Sequence, residues 1–193
     1  GGSAALALGD NIFHGSGLTG LLRESVAANV GATIFGTHVT DPERYGVATV
    51  DGAGRVLALE EKPASPASPI AVTGLYIYDA EASDRAAGLR PSSRGELEIT
   101  DLNRSYLADG RLTLRELPRG MTWLDTGTPE SLLAAAEYVA LIERRQGRKV
   151  ASPEEVAWRL GWIDDAALDA LAARSPSEAW RRYWRGLLAG ARR

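Results

Sequence analysis

The chain has 193 residues, 45% of them hydrophobic and 24% charged, which suffices for one core with an appendage. A net charge of −3 argues against a broad basic face for nucleic acid. With no cysteine and only His14 and His38, disulfides and thiolate metal sites are excluded, and a zinc site would need carboxylates to complete it.

Ala5-Leu6-Ala7-Leu8 is a short apolar run halted by Gly9 and Asp10. It reads as a buried strand with Asp10 at its carboxyl end, the edge of an open α/β sheet where ligands sit. A carboxylate there suits Mg²⁺ or caps the next segment. Leu18, Leu21, Leu22, Val26 and Val30 follow helical spacing, closed by Gly31. Residues 32–39 are β-branched and aromatic and read as a strand. Strand, helix and strand make a βαβ unit, so a parallel sheet is expected.

Residues 47–51 and 55–59 flank Gly52-Ala53-Gly54 as a hairpin. Glu60-Glu61-Lys62-Pro63 ends its second strand. Residues 70–78 form an apolar strand broken by Gly74, and 80–89 a short helix. A helix runs to about Ala108, a strand covers 111–117, and Met121-Thr122-Trp123-Leu124 ends at Asp125. Pro129 opens a long helix. Residues 152–160 and 164–173 read as short capped helices. From Ser177 a last helix gathers Trp180, Tyr183, Trp184, Leu187 and Leu188 on one face, with Arg181, Arg182, Arg185, Arg192 and Arg193 around it.

Two strands thus end in an acid, Asp10 and Asp125, and a third ends in Glu61-Lys62. If the first two share a sheet and direction, their carboxylates converge on one cation, and Lys62 offers a charge to a phosphate. Each piece also has a plain reading, as a helix cap or a surface ion pair worth little. In order, however, Leu8-Gly9-Asp10-Asn11-Ile12-Phe13, Asp41-Pro42-Glu43-Arg44-Tyr45-Gly46-Val47, Leu59-Glu60-Glu61-Lys62-Pro63, Ala71-Val72-Thr73-Gly74-Leu75-Tyr76, Arg94-Gly95-Glu96-Leu97-Glu98-Ile99-Thr100-Asp101 and Trp123-Leu124-Asp125-Thr126-Gly127-Thr128 resemble the sugar nucleotidyltransferases, glucose-1-phosphate thymidylyltransferases in particular. The likeness runs from about Ala5 into the helical tail and includes Glu143-Arg144-Arg145-Gln146-Gly147.

The resemblance implies an α/β, Rossmann-like nucleotidyltransferase fold with a mixed, mainly parallel sheet, helices on both faces and a C-terminal helical tail. Residues 1–130 correspond to the sugar-phosphate and metal half, and 131–193 to a helical extension. It implies the reaction of dTTP with glucose 1-phosphate to give dTDP-glucose and pyrophosphate, with Mg²⁺. By the same likeness Asp10 and Asp125 match the metal acids and Lys62 the lysine that contacts the sugar phosphate. Tyr45, Gly46, Glu61 and Val72 match the sugar pocket, with Trp123 beside it. Arg119, Glu143 and Arg144 are candidates for a regulatory nucleotide site, and a homotetramer is expected. Arg94-Gly95-Glu96 is either a sugar-pocket loop or a helix start.

The glycine-rich GGxGTRLxP stretch of such enzymes is missing; Gly1-Gly2-Ser3 only echoes its start. The only methionine is Met121. The chain is therefore expected to be a truncated member with little activity of its own and an exposed sheet edge prone to association. A non-catalytic sugar-phosphate-binding or oligomerisation fragment, or a relative using UTP or CTP, are the alternatives. No apolar run approaches the roughly 20 residues of a membrane span and no secretory leader is legible, so the cytoplasm is the expected compartment.

Overall fold

The computed structural model describes residues 2–92 and 95–190. Gly1, Ser93, Arg94 and residues 191–193 lie outside it, and with them the Gly1 echo, the Arg94 loop and the Arg192–Arg193 end of the basic stripe. Contacts divide the chain into two units, one ending at Ser131 and one beginning at Leu132.

The first unit carries strands β1 (Ala4–Ala7), β2 (Asn11–His14), β3 (Ala32–His38), β4 (Gly46–Val50), β5 (Val56–Glu61), β6 (Ile70–Tyr78), β7 (Leu112–Glu116) and β8 (Thr122–Asp125). Its helices are α1 (Leu18–Ala28), α2 (Ala82–Ala87) and α3 (Ile99–Ala108). The main sheet runs β5-β4-β6-β3-β7, with β1 also on β6. The sheet is mixed, as expected, but its balance is antiparallel: only β3–β7 is a parallel pair among the described strands. β1 and β3 do run in the same direction across α1, yet β6 is inserted between them, antiparallel to both. The crossover and β6 itself were legible; the insertion of β6 between the two strands, a pairing distant in sequence, was not.

Side chains alternate across the sheet and build a core on each face. Ile34, Tyr76 and Tyr78 meet Leu102 and Tyr106 of α3 on one side. Phe35, Leu75 and Ile77 meet Leu18, Leu21 and Leu22 of α1, with Phe13 and Trp123, on the other. Helices therefore cover both faces. On α1 the inward line continues to buried Ser25, whereas Val26 and Val30, expected on the apolar face, are exposed. β1 likewise is exposed at all four residues, against the buried strand expected. Asn103, in an Asn-Arg-Ser triplet, is buried and accepts the Tyr78 hydroxyl at 2.7 Å.

The second unit continues α4 (Pro129–Gln146) into α5 (Pro153–Arg159), α6 (Asp165–Arg174) and α7 (Glu178–Ala189). Ser152, Asp164 and Ser177 cap the last three through side-chain oxygens. Trp158, Leu168, Ala172 and Trp184 form the core, with Trp180 and Tyr183 packed on it. Among the described residues no helix is long and apolar enough to cross a membrane.

Candidate functional site

The nine-residue β6 shares one edge between two strands. β1 pairs with Leu75–Tyr78, and β4 pairs with Ala71 and Val72. Where they part, at Thr73 and Gly74, a crevice of about 460 Å³ is lined by Val72 and Gly74 of β6. The turn after β1 adds Asp10 and Asn11, the approach to β4 adds Arg44, Tyr45 and Gly46, and the end of β5 adds Glu61 and Lys62. Thr100 of α3 and Trp123 and Asp125 of β8 also line it. Asp10, Tyr45, Gly46, Glu61, Lys62, Val72, Trp123 and Asp125, singled out in the sequence, thus stand around one opening.

The two acids reach one opening by a route the sequence did not show. β1 belongs to the large sheet, while β8 pairs with β2 in a separate antiparallel ribbon, so the expected parallel strand ends of one sheet are not the arrangement. In the ribbon Asn11 is in register with Asp125. The Thr126 amide and hydroxyl both donate to the Asp10 carbonyl, at 2.9 and 2.8 Å. Antiparallel pairing sets Asn11, which opens β2, against Asp125, which ends β8, and leaves Asp10 one position off, opposite Thr126.

Glu61 and Lys62 are held from the β4 side. Glu61 is in register with Gly46, and its Oε2 accepts the Thr100 hydroxyl at 2.5 Å. A Cβ on Gly46 would lie 3.3 Å from both atoms of that bond. The Lys62 amide donates to the Tyr45 carbonyl at 2.9 Å. Lys62 has φ 44°, one of two non-glycine residues at positive φ among those described. The Tyr45 and Trp123 rings meet edge to face at 4.9 Å. Arg44 lies 5.3 Å from the Tyr45 ring centre while bonded to Asp41 at 2.8 Å. Burial, then the Asp41 charge, raise the Tyr45 hydroxyl above its ordinary pKa. Burial, then Glu61, do the same for Tyr76, which also lines the crevice.

Thr100, Arg44, Asn11 and Gly74 line the crevice as well, without a role legible in the sequence. A break at Gly74 is the sequence expectation, but β6 runs through it unbroken. A Cβ there would stand 2.8 Å from Leu8 Cδ1 and from Asn11 Cγ. A glycine inside a strand marks close approach as readily as a break; that was the signal.

The other candidates are not among the residues that line this crevice. Arg119 is exposed in the turn before β8. Glu143 accepts from the Lys149 ammonium at 2.5 Å and from the Val150 amide at 3.1 Å, and Arg144 is exposed on α4. His38 is exposed, 3.6 Å from Glu116.

Among the described residues no three His, Cys, Asp or Glu side chains form a metal cluster. Two carboxylates at one opening still fit Mg²⁺, which takes one or two protein carboxylates and fills its shell with water and phosphate oxygens. They fit zinc poorly, lacking nitrogen and sulfur donors.

The family model described as nucleotidyl transferase matches residues 1–141. A glucose-1-phosphate thymidylyltransferase of Xanthomonas campestris pv. campestris (strain B100) is 56% identical over 180 residues, 93% of this chain and 61% of that protein. One of Mycobacterium tuberculosis (strain CDC 1551 / Oshkosh) is 50% identical over 186 residues, 96% of this chain and 64% of that protein. The chain thus spans about three fifths of the length of these curated relatives. A Bacillus anthracis crystal structure, assigned as a glucose-1-phosphate thymidylyltransferase and solved with sucrose, superposes with a TM-score of 0.63 at 40% identity, over 71% of this chain and 54% of that one. A UDP-glucose pyrophosphorylase bound to UDP-glucose, 19% identical, superposes with a TM-score of 0.64 over 71% of this chain and 55% of that one, a likeness of fold.

Proposed function

The chain belongs to the nucleotidyl transferase family, and we propose that its crevice binds the sugar phosphate and the cation of a glucose-1-phosphate thymidylyltransferase. The observation that carries this is the convergence of Glu61-Lys62 with Asp10 and Asp125 at one opening, together with relatives named for that reaction at 56% and 50% identity. In the reaction an oxygen of glucose 1-phosphate forms a bond to the α-phosphorus of dTTP, the α–β phosphoanhydride bond breaks, and pyrophosphate leaves.

Such a step asks the protein mainly for positioning and charge balance. Glu61, fixed by Thr100, accepts hydrogen bonds from sugar hydroxyls. Tyr45 and Trp123 give the ring an aromatic wall, and Val72 and Gly46 bound its space. Lys62 faces the sugar phosphate and offsets its repulsion of the triphosphate. Asp10 and Asp125 hold Mg²⁺, which when bound neutralises phosphate charge. The sequence contains no GGxGTRLxP stretch, so the residues in hand supply the sugar and metal side, and slow turnover is expected of this chain.

Calorimetry tests the reading. With Mg²⁺ present, glucose 1-phosphate is expected to bind, and glucose 6-phosphate, whose phosphate sits at the other end of the ring, to bind at least tenfold more weakly. Binding lost in Glu61→Gln and Lys62→Gln supports the assignment. Equal binding of the two sugar phosphates, or binding indifferent to both substitutions, overturns it. Pyrophosphate release from dTTP and glucose 1-phosphate at several turnovers per second would overturn the expectation of slow turnover.

A further inference from the structure

We infer that Asn11 is a positioning residue: its carboxamide ties the Trp123 indole to the Asp10 carboxylate, so one side chain sets both the sugar wall and the cation-holding acid. The inference rests on the roles proposed above for Asp10 and Trp123. In the β2–β8 ribbon Asn11 stands opposite Asp125 and Phe13 opposite Trp123. Asn11 and Trp123 are therefore diagonal neighbours on one face, within side-chain reach. The indole Nε1 donates to Asn11 Oδ1 at 2.5 Å, and Asn11 Nδ2 donates to Asp10 Oδ1 at 2.8 Å.

The partners dictate how the amide is turned. An indole N–H only donates and a carboxylate only accepts, so the oxygen must face Trp123 and the nitrogen Asp10. Neither aspartate nor leucine, both of similar shape, makes both bonds. Gly74 supplies the room, since a Cβ there would press on Asn11 Cγ at 2.8 Å and Nδ2 at 2.9 Å. Trp123 packs on the Phe35, Leu75, Ile77 and Leu117 cluster. Asp10 is exposed, and an exposed carboxylate left to itself exchanges rotamers. The chain from core to indole to amide to Asp10 Oδ1 fixes the direction in which Oδ2 is presented.

The test is a Mg²⁺ titration of the ¹⁵N-labelled full chain, read at the indole N–H resonances of its five tryptophans, with Trp123 identified by Trp123→Phe. The Trp123 indole is expected to shift as Mg²⁺ saturates. Asn11→Ala is expected to weaken Mg²⁺ binding about tenfold, the lower end of what outer partners of metal ligands cost, and to leave the Trp123 indole unresponsive. Trp123→Phe, which keeps a ring but no donor, is expected to weaken Mg²⁺ binding in the same direction. The double variant should then be no weaker than Asn11→Ala alone, as for members of one chain of bonds. The remaining ¹⁵N resonances show that each variant is folded. Undiminished Mg²⁺ affinity in Asn11→Ala, or an indole that still follows Mg²⁺ in that variant, overturns the inference while leaving the role of Asp10 standing. Mg²⁺ binding that is absent, or unchanged in Asp10→Asn, overturns that role and the inference with it.

Discussion

Lys62 occupies a backbone conformation that its own side chain resists. At φ 44° a residue with a Cβ gives up about 1 kcal/mol relative to glycine. Strain of this kind persists where a side chain is wanted for its chemistry, and Lys62 lines the crevice. Lys62→Gly therefore separates the two effects. Its backbone relaxes, offset by the freer unfolded chain, so the urea midpoint is expected to hold or rise slightly. Glucose 1-phosphate affinity is expected to fall about 10- to 100-fold, the worth of a bond to a charged group. A large loss of stability with affinity retained would make Lys62 a structural residue. Gly74→Ala argues the converse at a site with no strain but no room. Its Cβ would contact Leu8 and Asn11 at 2.8 Å, and overpacking of that order costs about 1–3 kcal/mol. Urea unfolding checks it; an unchanged midpoint would mean that the turn after β1 yields freely.

At the scale of elements, the second unit isolates core from caps. Trp184 is 7% exposed, its ring 5.2 Å from Trp180, and its indole donates to the cap residue Ser152 at 3.3 Å. Trp184→Ala is expected to destabilise this unit by about 3–5 kcal/mol. Asp164→Ala, which removes the bond to the Ala167 amide at 2.8 Å, should cost about 1 kcal/mol. Trp158, Trp162 and Trp180 remain to report by fluorescence in urea, and equal losses from the two substitutions would contradict the assignment of the core. Both features were legible in the sequence, because helical spacing and capping residues act locally. The β3 to β6 strands were legible for a similar reason, as apolar or β-branched runs bounded by turns. β2 was not: four residues between Asp10 and Gly15 have no period to display, and only pairing with β8, more than a hundred residues on, makes them a strand. Asp10 and Asp125 were therefore picked out by residue type and order, but the way they reach one opening was hidden. Asn11 and Thr100 stayed without roles because a hydrogen-bond partner leaves no mark on its own neighbours in sequence.

For the molecule as a whole, the buried tyrosines set a limit on alkaline stability. Tyr76, Tyr78 and Tyr106 are each 3% exposed or less, and burial is the first cause that holds all three hydroxyls well above the ordinary tyrosine range. Glu61 reinforces it at Tyr76, Tyr76 and then Tyr106 at Tyr78, and a hydrogen bond to Asp79 at Tyr106. In the unfolded chain these groups ionise near pH 10. A folded-state pKa above the unfolded one means stability that is fully present below about pH 10 and is lost as pH rises toward the folded value. Each tyrosine contributes a slope of about 1.4 kcal/mol per pH unit in that window, and three together about 4. Against a total of about 5–15 kcal/mol, roughly one to four pH units of this slope cancel the stability of a domain. A net charge already at −3 adds self-repulsion in the same direction. Tyr76→Phe separates the two causes, since it removes one titrating group and leaves the net charge below pH 10 untouched. Urea midpoints by circular dichroism should be level from pH 7 to 9 and fall steeply above 10, and the fall should be about one third shallower in Tyr76→Phe. Equal slopes in the two proteins would assign the alkaline loss to net charge rather than to the core.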